Sequence, residues 1–191
     1  MRKLIMWNVV TLDGYFEGEK NWDLSFHELV WGKELEDFSI QQLKSADMLV
    51  FGATTYKGMA EYWTKAEGDK AEGEVAEYMN KLPKVVCSRK LKSASWNNTT
   101  IVKDAAAEIP KLKQHGSGDM FVFGSGNLSE SLMKAELFDE FRLCIAPEFL
   151  GKGRLLFNKG IPHKKLKLLE ARPLAKGGII LRYAPDEKIK K

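Results

Sequence analysis

The amino-acid sequence predicts an α/β protein of three layers, in which helices cover both faces of a mostly parallel central sheet. Two observations predict this fold class. Short apolar runs alternate with helical patterns as far as residue 136, which is the order of elements found around parallel sheets. Beyond that residue, three longer strand patterns follow one another without helices between them, which predicts an antiparallel C-terminal edge.

The first strand is the apolar run over residues 3–10, which is typical of a strand buried on both faces. It ends at the turn signal Thr11-Leu12-Asp13-Gly14. Further parallel strands are predicted at residues 48–51, 84–88, 100–102 and 120–123. The antiparallel strands are predicted at residues 139–146, 165–172 and 178–184, and Gly177-Gly178 is the hairpin turn between the last two.

Apolar residues at the helical period predict the helices that connect the parallel strands. The predicted helices span residues 26–46, 54–60, 72–81, 104–114 and 127–136. Gly32 is the expected break in the first of them. Asp104 is placed to cap the fourth helix, and Asn127 with Glu130 has the spacing of a reciprocal cap at the fifth.

The charge balance argues against nucleic acid as a partner. The chain of 191 residues has 30 Lys and Arg against 26 Asp and Glu, and its basic residues are spread along the sequence. The denser basic stretches, residues 164–167 and 188–191, are interpreted as a solvated strand edge and a frayed end. A chain of this length suits one domain over residues 1–191, with residues 185–191 as its tail.

The cysteine and hydropathy patterns predict a cytoplasmic protein without a membrane partner. Cys87 and Cys144 lie inside apolar runs, as buried free thiols do in a reducing compartment. No window approaches the roughly 20 apolar residues of a membrane span, and no signal peptide opens the chain. The histidines His27, His115 and His163 lack metal-ligand spacing, so no metal site is expected.

Groups suited to a phosphate-bearing ligand follow four of the predicted strands. Ligands of open α/β sheets bind outside the carboxyl ends of the parallel strands. Those ends are residues 13–14, 52–55, 88–89 and 124–127, which carry Gly, Ser, Thr or Arg. Two of these turns lead directly into helices, whose free amides and dipole attract anions. We therefore expect an extended anionic ligand at this edge of the sheet.

Three of these turns carry individual candidate sites, each with a plain structural alternative. Gly124-Ser125-Gly126 lets the backbone approach a pyrophosphate, or is a tight strand-to-helix turn, and Ser129 replaces the third glycine of a dinucleotide fingerprint. Ser88-Arg89 suits a ribose 2′-phosphate, or leaves the arginine in solvent. Asp13 is a candidate proton donor or substrate anchor, or a turn aspartate beside Gly14.

The order and spacing of short motifs over about residues 2–184 resemble those of a known family. The chain is similar to the reductase half of the bacterial riboflavin-biosynthesis deaminase–reductase, which has the dihydrofolate reductase fold. The motifs that carry the resemblance are TLDG at residues 11–14, VFGATTY at 50–56, PKVVCSR at 83–89, VFGSG at 122–126, LFDEFRL at 137–143 and PEFLGKG at 147–153.

The resemblance implies NADPH as the cofactor, a small-molecule substrate and a homodimer. It places Val9 and Val10 beside the nicotinamide. The residues it implies at the phosphates and the adenosine ribose are Gly52, Thr54, Thr55, Tyr56, Ser88, Arg89, Gly124, Ser125, Gly126 and Asn127. Ala53 is a departure, because family members carry arginine there. The loss of one charged hydrogen bond, about 1.5–3 kcal/mol, weakens cofactor binding about tenfold to a hundredfold unless Lys57 compensates.

Three functions stay open at this point. The first is a riboflavin-pathway reductase acting on a pyrimidine with a phosphoribosylamino group, and the second is a reductase of the same fold for a pterin or another small carbonyl compound. The third is a non-catalytic nucleotide-binding module. In a reductase, hydride passes to a C=O or C=N carbon, and Asp13 is the first candidate proton donor. Glu34 and Asp37 are alternatives, because dihydrofolate reductases carry their acid on the first helix. Trp22 and the loop 15–25 are expected to cover the pocket.

Overall fold

The structure, a computed structural model, describes residues 1–68, 73–158 and 160–186. After a 3-10 turn at Ser25–His27, its helices are α1 (Lys33–Ser45), α2 (Ala53–Lys65), α3 (Gly73–Lys81), α4 (Ala105–Leu112) and α5 (Gly126–Lys134). Its strands are β1 (Leu4–Thr11), β2 (Tyr15–Glu17), β3 (Ala46–Gly52), β4 (Lys84–Cys87), β5 (Thr99–Val102), β6 (Asp119–Phe123), β7 (Glu140–Ala146), β8 (Arg154–Leu155), β9 (Leu166–Pro173) and β10 (Ile179–Pro185).

Eight of the described strands form one sheet, in the order β5-β4-β3-β6-β1-β7-β10-β9. β1 lies near the middle and pairs in parallel with β6 and β7. β3, β4 and β5 continue the parallel arrangement on one side. On the other side, β10 pairs antiparallel with both β7 and β9. The predicted fold class, a mostly parallel sheet with an antiparallel C-terminal edge, is confirmed.

Different helices cover the two faces of this sheet, because successive side chains of a strand point in opposite directions. Met6 of β1 packs in a core that includes Leu132 of α5 and residues of α4. Its neighbour Ile5 faces the other way, into a core that includes Leu43 of α1, Met79 of α3 and residues of α2. Each such fully buried side chain contributes roughly 1.5–3 kcal/mol relative to exposure, so both cores hold the helices against the sheet.

Two predicted helix boundaries are found where the sequence places them. Gly32 separates the 3-10 turn from α1 and has an extended backbone, with φ at −175°. Asp104 precedes α4, and its carboxylate accepts a hydrogen bond from the Ala107 amide at 3.2 Å. This bond pairs one of the amide groups that every helix start leaves without an intrahelical partner.

The reciprocal cap predicted at α5 is wrong. The helix begins directly after Ser125, whose backbone is left-handed with φ at 60°. Asn127 therefore lies inside the first turn, and its Oδ1 accepts a hydrogen bond from Arg154 at 3.2 Å. Glu130 pairs with Lys134 instead of reaching back to the helix start. The cap spacing alone does not show where a helix begins, and here it begins earlier than the pattern suggests.

A small antiparallel sheet of β2 and β8 is an element that the sequence does not predict. Tyr15 pairs with Leu155 in it, and its strands have three and two residues. Strands this short leave no recognisable alternation of apolar and polar residues. The pairing joins the chain after β1 to the chain after β7, and so fixes the loop that covers one end of the main sheet.

Both cysteines are free thiols, and burial raises the pKa of each to about 12. Since the thiolate is the reactive form, neither Cys87 nor Cys144 is a nucleophile at neutral pH. Within the described residues, no helix has the length and apolar composition needed to cross a membrane. Those residues also bring no three His, Cys, Asp or Glu side chains together as a metal site. The predicted frayed end at 188–191 lies outside the described residues.

Candidate active site

A cleft of about 790 Å³ opens at the carboxyl ends of β1, β3, β4 and β6. This is the edge of the sheet at which the strand pattern predicts a ligand, because the turns after parallel strands meet there. The predicted cofactor residues that line the cleft are Val9, Gly52, Thr54, Thr55, Ser88, Arg89, Gly124, Ser125, Gly126 and Asn127. The fold thus brings together four segments that are distant in the sequence.

Two helix N-termini meet this cleft. α2 begins after Gly52 and α5 after Ser125, and in the described structure neither helix has a hydrogen-bonded side-chain cap. The first residues of both helices line the cleft. Uncapped amides and the positive end of the helix dipole together attract an anion. The arrangement fits a pyrophosphate, which has oxygens for both helix starts.

Ser125 ties the end of β3 to the end of β6. Its Oγ accepts a hydrogen bond from the Gly52 amide at 2.9 Å and donates one to the Phe123 carbonyl at 3.2 Å. The hydroxyl is therefore occupied within the protein, which leaves the backbone of this turn for a ligand. At Gly124, with φ at 56°, an added Cβ would meet Thr55 only at 3.5 Å. The left-handed backbone, rather than crowding, is what favours glycine there.

Positive charge gathers where β4 and β5 end. Arg89 follows β4 and Lys103 follows β5, and both are exposed and line the cleft. The Ser88 hydroxyl accepts the amides of Lys90 at 3.2 Å and Leu91 at 3.0 Å, which shapes the turn that carries Arg89. Guanidinium and ammonium groups both suit a phosphate. Sequence reasoning missed Lys103, although a basic residue directly after a parallel strand is the signal that identified Arg89.

Tyr56 and Lys57 lie outside the lining of this cleft in the described structure, which corrects two expectations. Tyr56 is 2% exposed, and its hydroxyl accepts a hydrogen bond from the Trp96 amide at 2.9 Å. It is a core residue of α2 rather than a cofactor contact. Lys57 is exposed and borders a separate depression, so it does not replace the arginine missing at Ala53. Successive helical residues point about 100° apart, and these two turn away from the cleft that Thr55 lines.

Asp13 also lies outside the cleft lining of the described structure, which corrects its assignment as proton donor. Its carboxylate accepts hydrogen bonds from the amides of Leu150 at 3.2 Å and Gly151 at 2.8 Å. Burial acts to raise the pKa of Asp13, but hydrogen bonds from the Thr11 hydroxyl and these amides lower that pKa below its usual value. These hydrogen bonds tie the turn after β1 to the chain after β7, so Asp13 has a structural role in the described residues.

The two alternative acids on the first helix also lie away from the cleft in the described chain. Glu34 accepts a hydrogen bond from the Ala175 amide at 2.6 Å, beside the β9–β10 turn. Asp37 forms an exposed ion pair along the surface of α1. Among the described residues, the acidic side chains that line the cleft are Glu17 and Asp104.

Glu17 organises one rim of the cleft. Its carboxylate accepts hydrogen bonds from the Trp22 amide at 2.8 Å and from Arg154 at 2.9 Å. Arg154 also donates to Asn127 and lies over the Phe16 ring, 5.4 Å from its centroid. The guanidinium is thus held by three groups at the start of α5. Lys152 lies outside the described lining, and pairs with an exposed glutamate at 2.7 Å.

The loop over residues 15–25 brings Trp22 to the cleft. The Trp22 backbone is left-handed, with φ at 65°. Its ring lies on Gly58 of α2, where an added Cβ would stand 1.9 Å from the nearest ring atom. Only glycine lets an indole approach a helix backbone this closely. Trp22 therefore spans from the rim at Glu17 to α2.

The wall formed by α1, α2 and α3 is mostly apolar. Its apolar and aromatic lining residues are Trp7, Trp31, Leu35, Leu43, Met59, Trp63, Val75, Met79 and Phe123. Trp7 and Phe123 belong to β1 and β6 at the base of this wall, and the polar residues there are Asn8, His27, Ser39 and Gln42. Burial lowers the pKa of His27 to about 4, so its imidazole is neutral at pH 7. The described residues give the cleft a cationic end near β4 and β5 and a neutral wall at α1.

Comparisons with solved structures agree with this architecture. A protein of Shewanella sp. PV-4 whose name links it to riboflavin biosynthesis superposes with a TM-score of 0.77 and 17% identity, over 97% of this chain and 99% of that one. The dihydrofolate reductase of Enterococcus faecalis, solved with NADP(H) and RAB-propyl, superposes with a TM-score of 0.63 and 14% identity, over 97% of each chain. At these identities the likeness shows the fold, which is that of dihydrofolate reductase.

Comparisons of sequence lead to a family. The Bacillus subtilis (strain 168) protein YyaP is 28% identical over 182 residues, which are 95% of this chain and 94% of YyaP. The model of the family described as RibD C-terminal domain matches residues 2–180. The matched range contains all four strand ends that line the cleft. The chain therefore belongs to the RibD C-terminal domain family.

Proposed function

We propose that this chain is an NADPH-dependent reductase that reduces a C=O or C=N group of a small molecule. The observation that carries the proposal is the pair of uncapped helix starts, at α2 and α5, which meet one cleft beside the exposed cations Arg89 and Lys103. Membership of the RibD C-terminal domain family and the dihydrofolate reductase fold support a reductase.

The distribution of charge in the cleft suits one orientation of a bound dinucleotide. The first amides of α2 and α5 would hold the pyrophosphate, and Arg89 with Lys103 would bind the 2′-phosphate. β1 pairs with β6 only as far as Trp7 and Phe123, while β1 itself continues to Thr11. Val9 therefore lies beyond the end of β6, on the side of β1 that faces the cleft, where it would contact the nicotinamide. When bound, the reduced nicotinamide supplies a hydride, and the protein supplies its position and surroundings.

We propose water as the source of the proton. Of the acids that line the described cleft, Glu17 is paired with Arg154 and Asp104 caps α4. Burial lowers the pKa of His27 to about 4, so near pH 7 the ring at this wall is neutral imidazole rather than the imidazolium that would act as a general acid. The role of the α1 wall is then to position an acceptor and to limit the water that reaches it.

Titration of the purified protein with NADPH and with NADH, followed by nicotinamide fluorescence, tests the cofactor. We expect saturable binding of NADPH and weaker binding of NADH. Arg89→Ala removes a charged hydrogen bond, so it should weaken NADPH binding about tenfold to a hundredfold and leave NADH binding unchanged.

Lys92→Ala is the matched control for this titration, because Lys92 is an exposed cation a few residues beyond Arg89 and lies outside the described lining of the cleft. It should leave both affinities unchanged. If neither dinucleotide binds to the folded protein, the reductase proposal fails. An equal loss in both variants would mean that overall charge, rather than the Arg89 contact, governs the affinity.

We further propose that the chain acts as a homodimer, which the family resemblance implies. β9 is an edge strand of the sheet, and its Leu166 and Leu168 are exposed. An unpaired edge with apolar side chains is a surface on which a second chain packs readily. Light scattering after size exclusion should give twice the chain mass, and a single chain mass at micromolar concentration would refute it.

A further inference from the structure

Gln42 is a buried amide on the inner side of α1 that lines the cleft. Gln42 is 2% exposed, and its Oε1 accepts a hydrogen bond from Arg142 at 3.3 Å. Because a guanidinium only donates, this contact fixes which end of the amide faces Arg142. The Nε2 end is therefore directed elsewhere, and it has no hydrogen-bond partner among the described residues.

A buried amide nitrogen without an acceptor is costly, and native proteins retain few such groups. Burying Gln42 in this way is explained if a ligand supplies the acceptor. Gln42 cannot rotate to satisfy Nε2 elsewhere without giving up the contact with Arg142, which is itself 8% exposed. Gln42 lines the cleft, and its Nε2 is a buried donor of fixed orientation that lacks an acceptor among the described residues.

Apart from the Arg142–Glu140 ion pair behind its Oε1 end, the cleft lining around Gln42 is uncharged. Side chains of Trp7, Trp31, Leu35 and Leu43 line the same wall, together with the neutral imidazole of His27. Among the described lining residues, the cations are Arg89 and Lys103 at the ends of β4 and β5 and Arg154 at the start of α5. None of these belongs to α1, and Arg154 is already paired with Glu17.

We infer that the substrate is an uncharged carbonyl compound with an aromatic or otherwise apolar body, and that Gln42 Nε2 donates a hydrogen bond to a carbonyl oxygen of that compound. The inference rests on the proposed reductase function, and it names the substrate class of the same cleft. Aromatic side chains favour a flat ring by offset or edge contacts. A phosphorylated pyrimidine is disfavoured, because its dianion would meet an apolar wall without a cation.

Gln42→Glu is the variant that isolates this donor. A glutamate keeps an oxygen for Arg142, so the contact that holds the side chain is retained, with the guanidinium then shared between the carboxylates at positions 42 and 140. It replaces the amide nitrogen by a second acceptor, which repels a carbonyl oxygen. Gln41→Glu is the matched control, because Gln41 is the adjacent residue of α1 and is exposed.

The test is isothermal titration calorimetry with two probes, isatin as a flat uncharged dicarbonyl and uridine 5′-monophosphate as a phosphate-bearing pyrimidine. Each probe is titrated into the cofactor-free protein and into the protein saturated with NADPH. We expect isatin to bind the native protein and Gln41→Glu equally, and Gln42→Glu about tenfold or more weakly. Uridine 5′-monophosphate should not compete with isatin.

Equal binding of isatin by Gln42→Glu and the native protein would overturn the role of Gln42. Tighter binding of uridine 5′-monophosphate than of isatin by the NADPH-saturated protein, in which the phosphate site is filled, or no binding of isatin in either state of the protein, would overturn the substrate class. The NADPH titration of the same samples reports separately on the proposed function. Isatin binding to the cofactor-free protein therefore decides the inference even if NADPH does not bind.

Discussion

The neutral imidazole of His27 makes the stability of the fold depend on pH in a predictable window. Burial against the cleft wall lowers the pKa of His27 from 6.5 to about 4, and its ring packs 5.0 Å from the Phe26 ring. In the unfolded chain the imidazole titrates near its ordinary value. Between these two values the unfolded chain binds a proton that the folded chain does not, so acid favours unfolding there.

The sign and size of the effect follow from this difference. Above pH 6.5 both states are neutral at His27, so the residue causes no pH dependence. As the pH falls from 6.5 to about 4, the free energy of unfolding decreases, and below that range the effect is constant. The full shift corresponds to about 3 kcal/mol as an upper limit, and contact of the half-buried ring with solvent reduces it to about 1–2 kcal/mol.

Urea denaturation of the native protein and of His27→Gln between pH 4 and 7.5 measures this contribution. The variant removes the titrating group, so its unfolding free energy should fall about 1–2 kcal/mol less than that of the native protein over the same interval. His115→Gln is the control, because His115 is exposed. Parallel pH profiles for the native protein and His27→Gln would refute the reasoning, since carboxylates common to both would then account for the whole acid effect.

Two further substitutions test contacts of the fold, one at the cleft and one at the start of β4. Gly58→Ala places a Cβ 1.9 Å from the Trp22 ring, so Trp22 must leave α2. Alanine also favours the helix by about 0.5–1 kcal/mol, so the protein should stay folded. Acrylamide quenching of tryptophan fluorescence should increase, and this increase should be absent when Gly58→Ala is combined with Trp22→Phe. Lys84 Nζ donates hydrogen bonds to three backbone carbonyls, which Lys84→Met would leave without a donor. We expect the free energy of unfolding, measured by urea denaturation, to fall by about 2–3 kcal/mol. Lys92→Met is the control, because Lys92 is exposed, and it should cause no such loss. Unchanged quenching in the first case, or equal stabilities of the two lysine variants, would contradict these contacts.

The strand ends of the cleft were predictable because they depend on local patterns and one topological rule. Apolar runs followed by Gly, Ser or Arg are visible in the sequence, and parallel strands place the residues after them at one edge. That reasoning finds Gly52, Arg89 and Gly124 in one cleft, whereas Val9 follows from the family resemblance and the predicted end of β1 at residues 13–14 lies outside the described lining. It extends without change to Lys103, which directly follows the strand predicted at residues 100–102.

The residues that sequence reasoning misplaced depend on contacts between distant segments. Asp13 is held by amides of residues 150 and 151, which belong to the chain after β7. Tyr56 turns into the core because Trp96 supplies a donor for its hydroxyl. The direction of the Gln42 amide depends on Arg142, 100 residues away in sequence. Local residue types are the same whether a side chain serves the fold or a ligand, so a pattern cannot separate the two uses.

The two ends of the cleft differ in charge for reasons that lie in the topology. Cations follow β4 and β5, at the edge where the chain has just left the sheet and side chains remain in water. The opposite wall is the inner face of α1, which must pack on β1 and is therefore apolar except where a polar group is paired. In the proposed complex the dinucleotide has its phosphates toward β4 and its nicotinamide toward Val9, which matches both ends. The Gln42 Nε2, which has no partner among the described residues, lies on the α1 wall, and it is there, rather than among the phosphate contacts, that we propose the substrate is selected.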